Sequence, residues 1–106
     1  MTAKEIIMSL PLRLKPGAGT GIDIIFHFII KGDGGGQFTV KVKDGVCSVI
    51  EGLEGEPKCV VETTDKTYEE VETGKTNPQM AVLFGKVKVS NVGSMIKFAE
   101  MFEAYK

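Results

Sequence analysis

Strict alternation over residues 37–43 sets Phe38, Val40 and Val42 on one face and Thr39, Lys41 and Lys43 on the other, the period of a half-buried strand. A longer strand precedes it over 22–31. One face there carries Ile22, Ile24, Phe26, Phe28 and Ile30, while the other mixes Asp23, Ile25, His27, Ile29 and Lys31 and reads as half covered. GDGGG at 32–36 makes a hairpin loop, and Asp44-Gly45 signals a two-residue type I′ turn into a third strand over 46–51. The three form an antiparallel meander. Further strands are predicted over 58–63 and 86–90.

Helical spacing takes over at both ends. Ile6, Ile7, Leu10 and Leu14 share one side of an N-terminal helix capped by Thr2, which Pro11 interrupts near Leu10. A shallow helix runs from an Asp65 cap to Thr73, with Tyr68 and Val71 as its large apolar residues and Gly74 as its stop. Asn77 caps a short helix with Pro78 in its first turn. Asn91 caps a final helix over 92–105, whose apolar residues spread over an arc of about 220°. A core-facing stripe needs only a little over ~100°. Met95, Ile96, Ala99 and Phe102 account for that stripe, leaving Phe98, Met101 and Tyr105 for a second apolar neighbour. That neighbour is a ligand, a partner protein, a membrane surface or the chain's own N-terminal helix.

With 106 residues, 42% hydrophobic and 25% charged, the chain is sized for one domain spanning 1–106 and one core. A net charge of −1 without a basic stripe argues against nucleic acid. The acids Glu51, Glu54, Glu56, Glu62, Asp65, Glu69, Glu70 and Glu72 crowd the middle and read as a solvated face. No run approaches the ~20 apolar residues of a membrane span, and the N-terminus lacks the features of a secretion signal, so a cytoplasmic location is expected. Cys47 and Cys59 then read as reduced, buried thiols. With His27 alone they cannot complete a zinc site, and His27 reads as a surface or rim histidine.

Two glycine-bearing motifs fail on context. Gly17, Gly19 and Gly21 follow a helix and open a strand, the reverse of a dinucleotide fingerprint. Gly74-Lys75-Thr76 mimics the end of a phosphate loop, but Glu69 stands where the first glycine belongs. No nucleophile elbow or metal cluster is visible either, so no catalysis and no cofactor are expected.

The run GKTNPQMAVLFGKVKVSNVGSMIKF, residues 74–98, resembles the signature region of the sterol carrier protein type 2 domain family. The order of elements agrees over residues 3–105. The resemblance implies an α/β (α+β) fold, in which a five-stranded mixed sheet is covered on one face by helices and encloses an apolar tunnel. It implies a non-catalytic carrier of fatty acid, fatty acyl-CoA, sterol or other lipid, here as a stand-alone member; relatives also occur attached to lipid-metabolising enzymes. Its tunnel-lining residues are expected to be Gln79, Met80, Leu83, Phe84, Met95, Phe98, Met101 and Phe102, with Gln79 orienting a ligand hydroxyl or carboxylate. For an acyl-CoA, Lys75, Lys86 and Lys88 are the candidate phosphate partners. The methionines suit a deformable wall. Pro11 shortens the first helix, which widens one tunnel end or leaves it to a partner. The alternative is an interaction or homodimerisation module using the apolar flank of the last helix; transient membrane contact stays open.

Overall fold

The computed structural model describes residues 2–105. The first helix, α1 (Ala3–Met8), starts on a reciprocal capping box: the Thr2 hydroxyl accepts from the Glu5 amide at 3.1 Å and the Glu5 carboxylate accepts from the Thr2 amide at 2.7 Å. Pro11 falls in the first turn of a separate α2 (Leu10–Arg13), where the missing N–H has no partner to lose. Then follow β1 (Asp23–Lys31), β2 (Gly36–Lys43), β3 (Val46–Glu51) and β4 (Cys59–Thr64). The remainder is α3 (Asp65–Glu72), α4 (Pro78–Leu83), β5 (Lys88–Val89) and α5 (Val92–Glu100).

The strands make one mixed sheet in the order β3-β2-β1-β4-β5, in which only the β1–β4 pair is parallel. The β2–β3 hairpin turns through Asp44 (φ 54°) and Gly45 (φ 80°), as a type I′ turn requires. Phe26, Phe28, Phe38, Val40 and Val42 sit on one face and are almost wholly buried, forming one core with Ile6 and Ile7 of α1 and Phe98 of α5. Cys47 lies on β3 and Cys59 on β4, both buried and free. Three strand spacings of about 4.8 Å separate them, well beyond disulfide reach.

The opposite face is roofed by residues 52–58. Thr39 Oγ1 donates to the Gly52 carbonyl at 2.7 Å and accepts from the Glu54 amide at 2.9 Å, and His27 Nε2 lies 2.8 Å from the Glu54 carbonyl. His27 is therefore buried, at 8% exposure, rather than a surface or rim residue. The loop closes because its backbone at Gly52 and Glu54 satisfies two buried polar side chains, Thr39 and His27.

Three further expectations need correction. Thr64, not Asp65, caps α3, accepting from the Thr67 amide at 3.2 Å. Asp65 instead accepts from the Gly34 amide at 3.0 Å and pins the GDGGG loop. The fifth strand shrinks to two residues, because the Lys86 and Val87 amides turn back to the Ala81 carbonyl and close the end of α4. The last helix stops at Glu100 rather than Tyr105: Lys15 N donates to the Met101 carbonyl at 2.8 Å, and Leu14 bridges Phe102 as in an antiparallel strand pair. At 1.5 Å per residue α5 is about 14 Å long, shorter than an extended long acyl chain.

Candidate functional site

Asn91 fixes the start of α5, its side-chain oxygen accepting from the Ser94 amide at 3.0 Å. From there the helix lies over β1 and sets Phe98 on the sheet. The Phe98 ring stacks on Phe26 with centroids 4.1 Å apart and 18° between planes, and it meets Phe102 at 4.8 Å and Phe28 at 6.0 Å. Phe98 is 2% exposed. The stripe expected to face the core is thus rotated: Phe98, Met101 and Phe102 are buried, whereas Ile96 and Val92 are each 51% exposed and Ala99 is exposed too. Phe102 and Tyr105 lie beyond the helix, so helical spacing does not govern them. The chain's own N-terminal segment covers this flank.

Cavities open on both sides of Phe98. One, of about 450 Å³, has Ile22, Ile24 and Phe26 as floor and Gly93, Ser94 and Met101 as wall, with Lys58 and Lys97 also lining it. On the other side a cavity of about 370 Å³ runs between α3 and α5, and a smaller one of about 80 Å³ extends it towards α4. These two share Phe28, Tyr68, Val71, Glu72, Pro78 and Met95, so they are parts of one cleft. Both larger volumes lie within the ~300–1,000 Å³ typical of small-molecule pockets.

Of the expected lining residues, Met95, Phe98, Met101 and Phe102 border these cavities. Gln79, Met80, Leu83 and Phe84 do not; they lie outside the three cavities and are exposed, Leu83 by 74%, Phe84 by 68% and Met80 by 45%. The reason is the geometry of a six-residue helix. At 100° per residue Pro78, Ala81 and Val82 share the inward arc of α4 and positions 79, 80, 83 and 84 the outward one. Asn77 acts as a cap, its side-chain oxygen accepting from the Gln79 and Met80 amides. Lys75, Lys86 and Lys88 are exposed.

Arg13 carries no periodicity signal and was not foreseen. Its Nε donates to Ser9 Oγ at 2.9 Å, Nη2 to the Ile6 carbonyl at 3.2 Å and Nη1 to the Glu103 carbonyl at 3.0 Å, and Nη1 pairs with Glu72 Oε2 at 3.2 Å. The guanidinium also lies 5.4 Å from the centre of the Tyr105 ring. One side chain thus ties α1, α2, α3 and the C-terminal segment together where the larger α3–α5 cavity ends. Burial pushes the Glu72 carboxyl above its ordinary range, and Arg13 offsets this only in part. Burial likewise holds the Tyr68 hydroxyl well above the usual phenol range. Among the described residues no three His, Cys, Asp or Glu side chains are grouped to hold a metal ion, and no helix is long and apolar enough to cross a membrane.

A five-stranded mixed sheet bearing an apolar cleft under its last helix defines the class, and the comparisons define the family within it. The SCP-2 sterol transfer family matches over residues 12–103. The chain belongs to that family. It is 33% identical over 81 residues to Sterol carrier protein 2 of Homo sapiens, an alignment covering 73% of this chain and 15% of the relative; the chain thus spans about 15% of the length of the curated relatives it matches. Among solved structures it resembles palmitated SCP2L2 from Aedes aegypti, with TM-score 0.75, 18% identity and full coverage of both chains. It also resembles the sec-alkylsulfatase Pisa1 from Pseudomonas sp., with TM-score 0.81, 17% identity, and coverage of 97% of this chain and 17% of that one.

Proposed function

We propose that residues 1–106 form a single non-catalytic domain that holds the apolar body of a lipid against the sheet under α5. Its ligand class is fatty acid, fatty acyl-CoA or a sterol-like molecule. The carrying observation is the cleft itself: apolar cavities flank Phe98 on both sides, with Met95 bordering both parts of the α3–α5 cavity. Met101 and Phe102 complete the contact set, and burial of apolar area drives binding at about 25 cal/mol per Å² before ordering costs. For an acyl-CoA, Lys58 and Lys97 of the first cavity are better placed for phosphate than the lysines of residues 75–88. Family membership supports the lipid class, and the palmitated Aedes structure supports a fatty acid as probe. Service to a lipid-metabolising enzyme and a cytoplasmic location belong to the same proposal.

The test is titration with a fluorescent sixteen-carbon fatty acid, beside solvent extraction and mass spectrometry of the purified protein. Met95→Trp fills the cleft from a half-buried position. The expected result is saturable binding by the parent and a loss of at least about tenfold in the variant, on the scale of one displaced apolar group. Binding that ignores the substitution refutes the cleft as the site, and a parent that neither carries nor takes up lipid refutes the carrier. The second reading, self-association through α5, has one observation in its favour, the exposed Val92 and Ile96. Sedimentation at monomer mass over a wide concentration range removes it.

A further inference from the structure

The α3–α5 cleft is lined mainly by apolar side chains, and its polar ones gather around Arg13. Tyr68 and Glu72 of α3 stand there, and Glu103 joins them through its carbonyl. Thr63, in the smaller part, is committed elsewhere: its hydroxyl donates to the Lys86 carbonyl at 2.8 Å. An arginine in an apolar cleft is ordinarily a receptor for a carboxylate, which it grips with a fork of two parallel N–H groups. Arg13 is not available for that. Of the five N–H groups of a guanidinium, four are engaged, by Ser9, the Ile6 and Glu103 carbonyls and Glu72. One N–H makes no fork, and the Glu72 carboxylate already balances the charge.

What the site offers instead is an acceptor beside a neutral hydroxyl. Glu72 pairs with Arg13 through Oε2 at 3.2 Å, and the Tyr68 hydroxyl is directed at the same carboxylate. Burial keeps that hydroxyl protonated well beyond neutral pH, so it both donates and accepts. A ligand hydroxyl can therefore donate to Glu72 and accept from Tyr68. A ligand carboxylate can only accept, and it meets a like charge in a partly buried place.

We infer that the α3–α5 cleft selects a long-chain lipid with an uncharged hydroxyl head, a fatty alcohol, over one with a carboxylate head, and that Glu72 and Tyr68 set this preference. The inference rests on the carrier reading and narrows its ligand class. The cleft continues from about 370 Å³ into about 80 Å³ towards α4, a narrowing that suits a jointed alkyl chain better than a rigid ring system. The head then lies beside Arg13 and the tail points to α4. Lys58 and Lys97 line the cavity on the other side of Phe98, so they do not offset Glu72 here.

The experiment is calorimetric titration of the delipidated protein with dodecanol, laurate and methyl laurate at pH ~8, where laurate is ionised. Methyl laurate is neutral but has no proton to donate. Expected is dodecanol binding at least about tenfold tighter than either, the scale of a hydrogen bond to a charged group. Tyr68→Phe keeps the ring and weakens dodecanol about fivefold. Glu72→Gln weakens dodecanol, strengthens laurate through the released Arg13, and leaves methyl laurate unchanged. A merely structural role for Glu72 moves all three ligands together, and that result overturns the inference. So does laurate or methyl laurate binding as tightly as dodecanol in the parent, a comparison that needs no variant to fold. Dodecanol binding that Met95→Trp leaves undiminished assigns the alcohol to another cavity and overturns it as well. Failure of the carrier reading looks different, because then none of the three ligands binds.

Discussion

Replacing Phe98 by alanine removes the side chain on which the seating of α5 depends. The ring is 2% exposed, stacks on Phe26 at 4.1 Å and touches Phe28 and Phe102. Burial of such a ring stabilises by about 1.5–3 kcal/mol and each aromatic pair adds about 0.5–1.5 kcal/mol. Phe→Ala changes in cores cost about 3–5 kcal/mol, the upper end applying where neighbours cannot collapse into the space. Here cavities of about 450 and 370 Å³ already flank the ring, so little is available to fill the void, and about 4 kcal/mol is expected. With a urea slope of ~1–3 kcal/mol per M, the midpoint falls by about 2 M. Urea unfolding followed by circular dichroism measures it, with Phe98→Leu, expected to lose about 1–1.5 kcal/mol, as the fallback if the alanine variant does not fold. The merged cavity adds a second readout: palmitate should raise the midpoint more in the variant than in the parent, because binding to the native state alone adds RT ln(1 + [L]/Kd). A loss below about 1 kcal/mol would refute the reasoning, since an alanine change that small is typical of surface positions and not of a seated core ring.

Two further predictions follow from burial of ionisable groups. The folded Glu72 carboxyl titrates above its unfolded value, so the native state binds that proton more tightly and its ionisation lowers stability at neutral pH. The stability of the parent relative to Glu72→Gln should therefore rise as pH falls from about 7 to about 4.5, and a difference that shrinks over that range would show Arg13 outweighing burial. The Cys47 thiol is pushed up to about 11, chiefly by burial with Arg13 opposing. Iodoacetamide at pH near 8, where an ordinary thiol of pKa ~8.5 reacts readily, should label it only after unfolding, and stoichiometric labelling of native protein would contradict its buried place on β3.

Elements whose signals are local were legible in the sequence. Alternation gave β2, Asp44-Gly45 its turn, and Asn77-Pro78 and Asn91 the starts of α4 and α5, because each depends on residues within one turn or one strand pair. The end of α5 was not legible, since it is set by pairing with Leu14 and Lys15 across nearly the whole chain. Arg13 was silent for the same reason: its partners Glu72 and Glu103 are brought to it only by the fold. The outward arc of α4 is a different case. Pro78, Ala81 and Val82 already define an inward face at helical spacing, so the exposure of Met80, Leu83 and Phe84 could have been read from the sequence.

The two ends of the α3–α5 cleft differ in how firmly they are held, and this bears on how a carrier would exchange cargo. At one end Arg13 makes three hydrogen bonds and an ion pair, and the Leu14–Phe102 bridge and the Lys15–Met101 hydrogen bond close the chain beside it. Opening there breaks a partly buried charge network, and stranding one member of such a network carries a large penalty. At the other end α4 has six residues, of which only Ala81 is buried, and β5 pairs with β4 through two residues. Short elements with little buried apolar contact open at a fraction of the global free energy. On the carrier reading, exchange therefore runs past α4, beside Pro78 and Val82, while the Arg13 end stays shut.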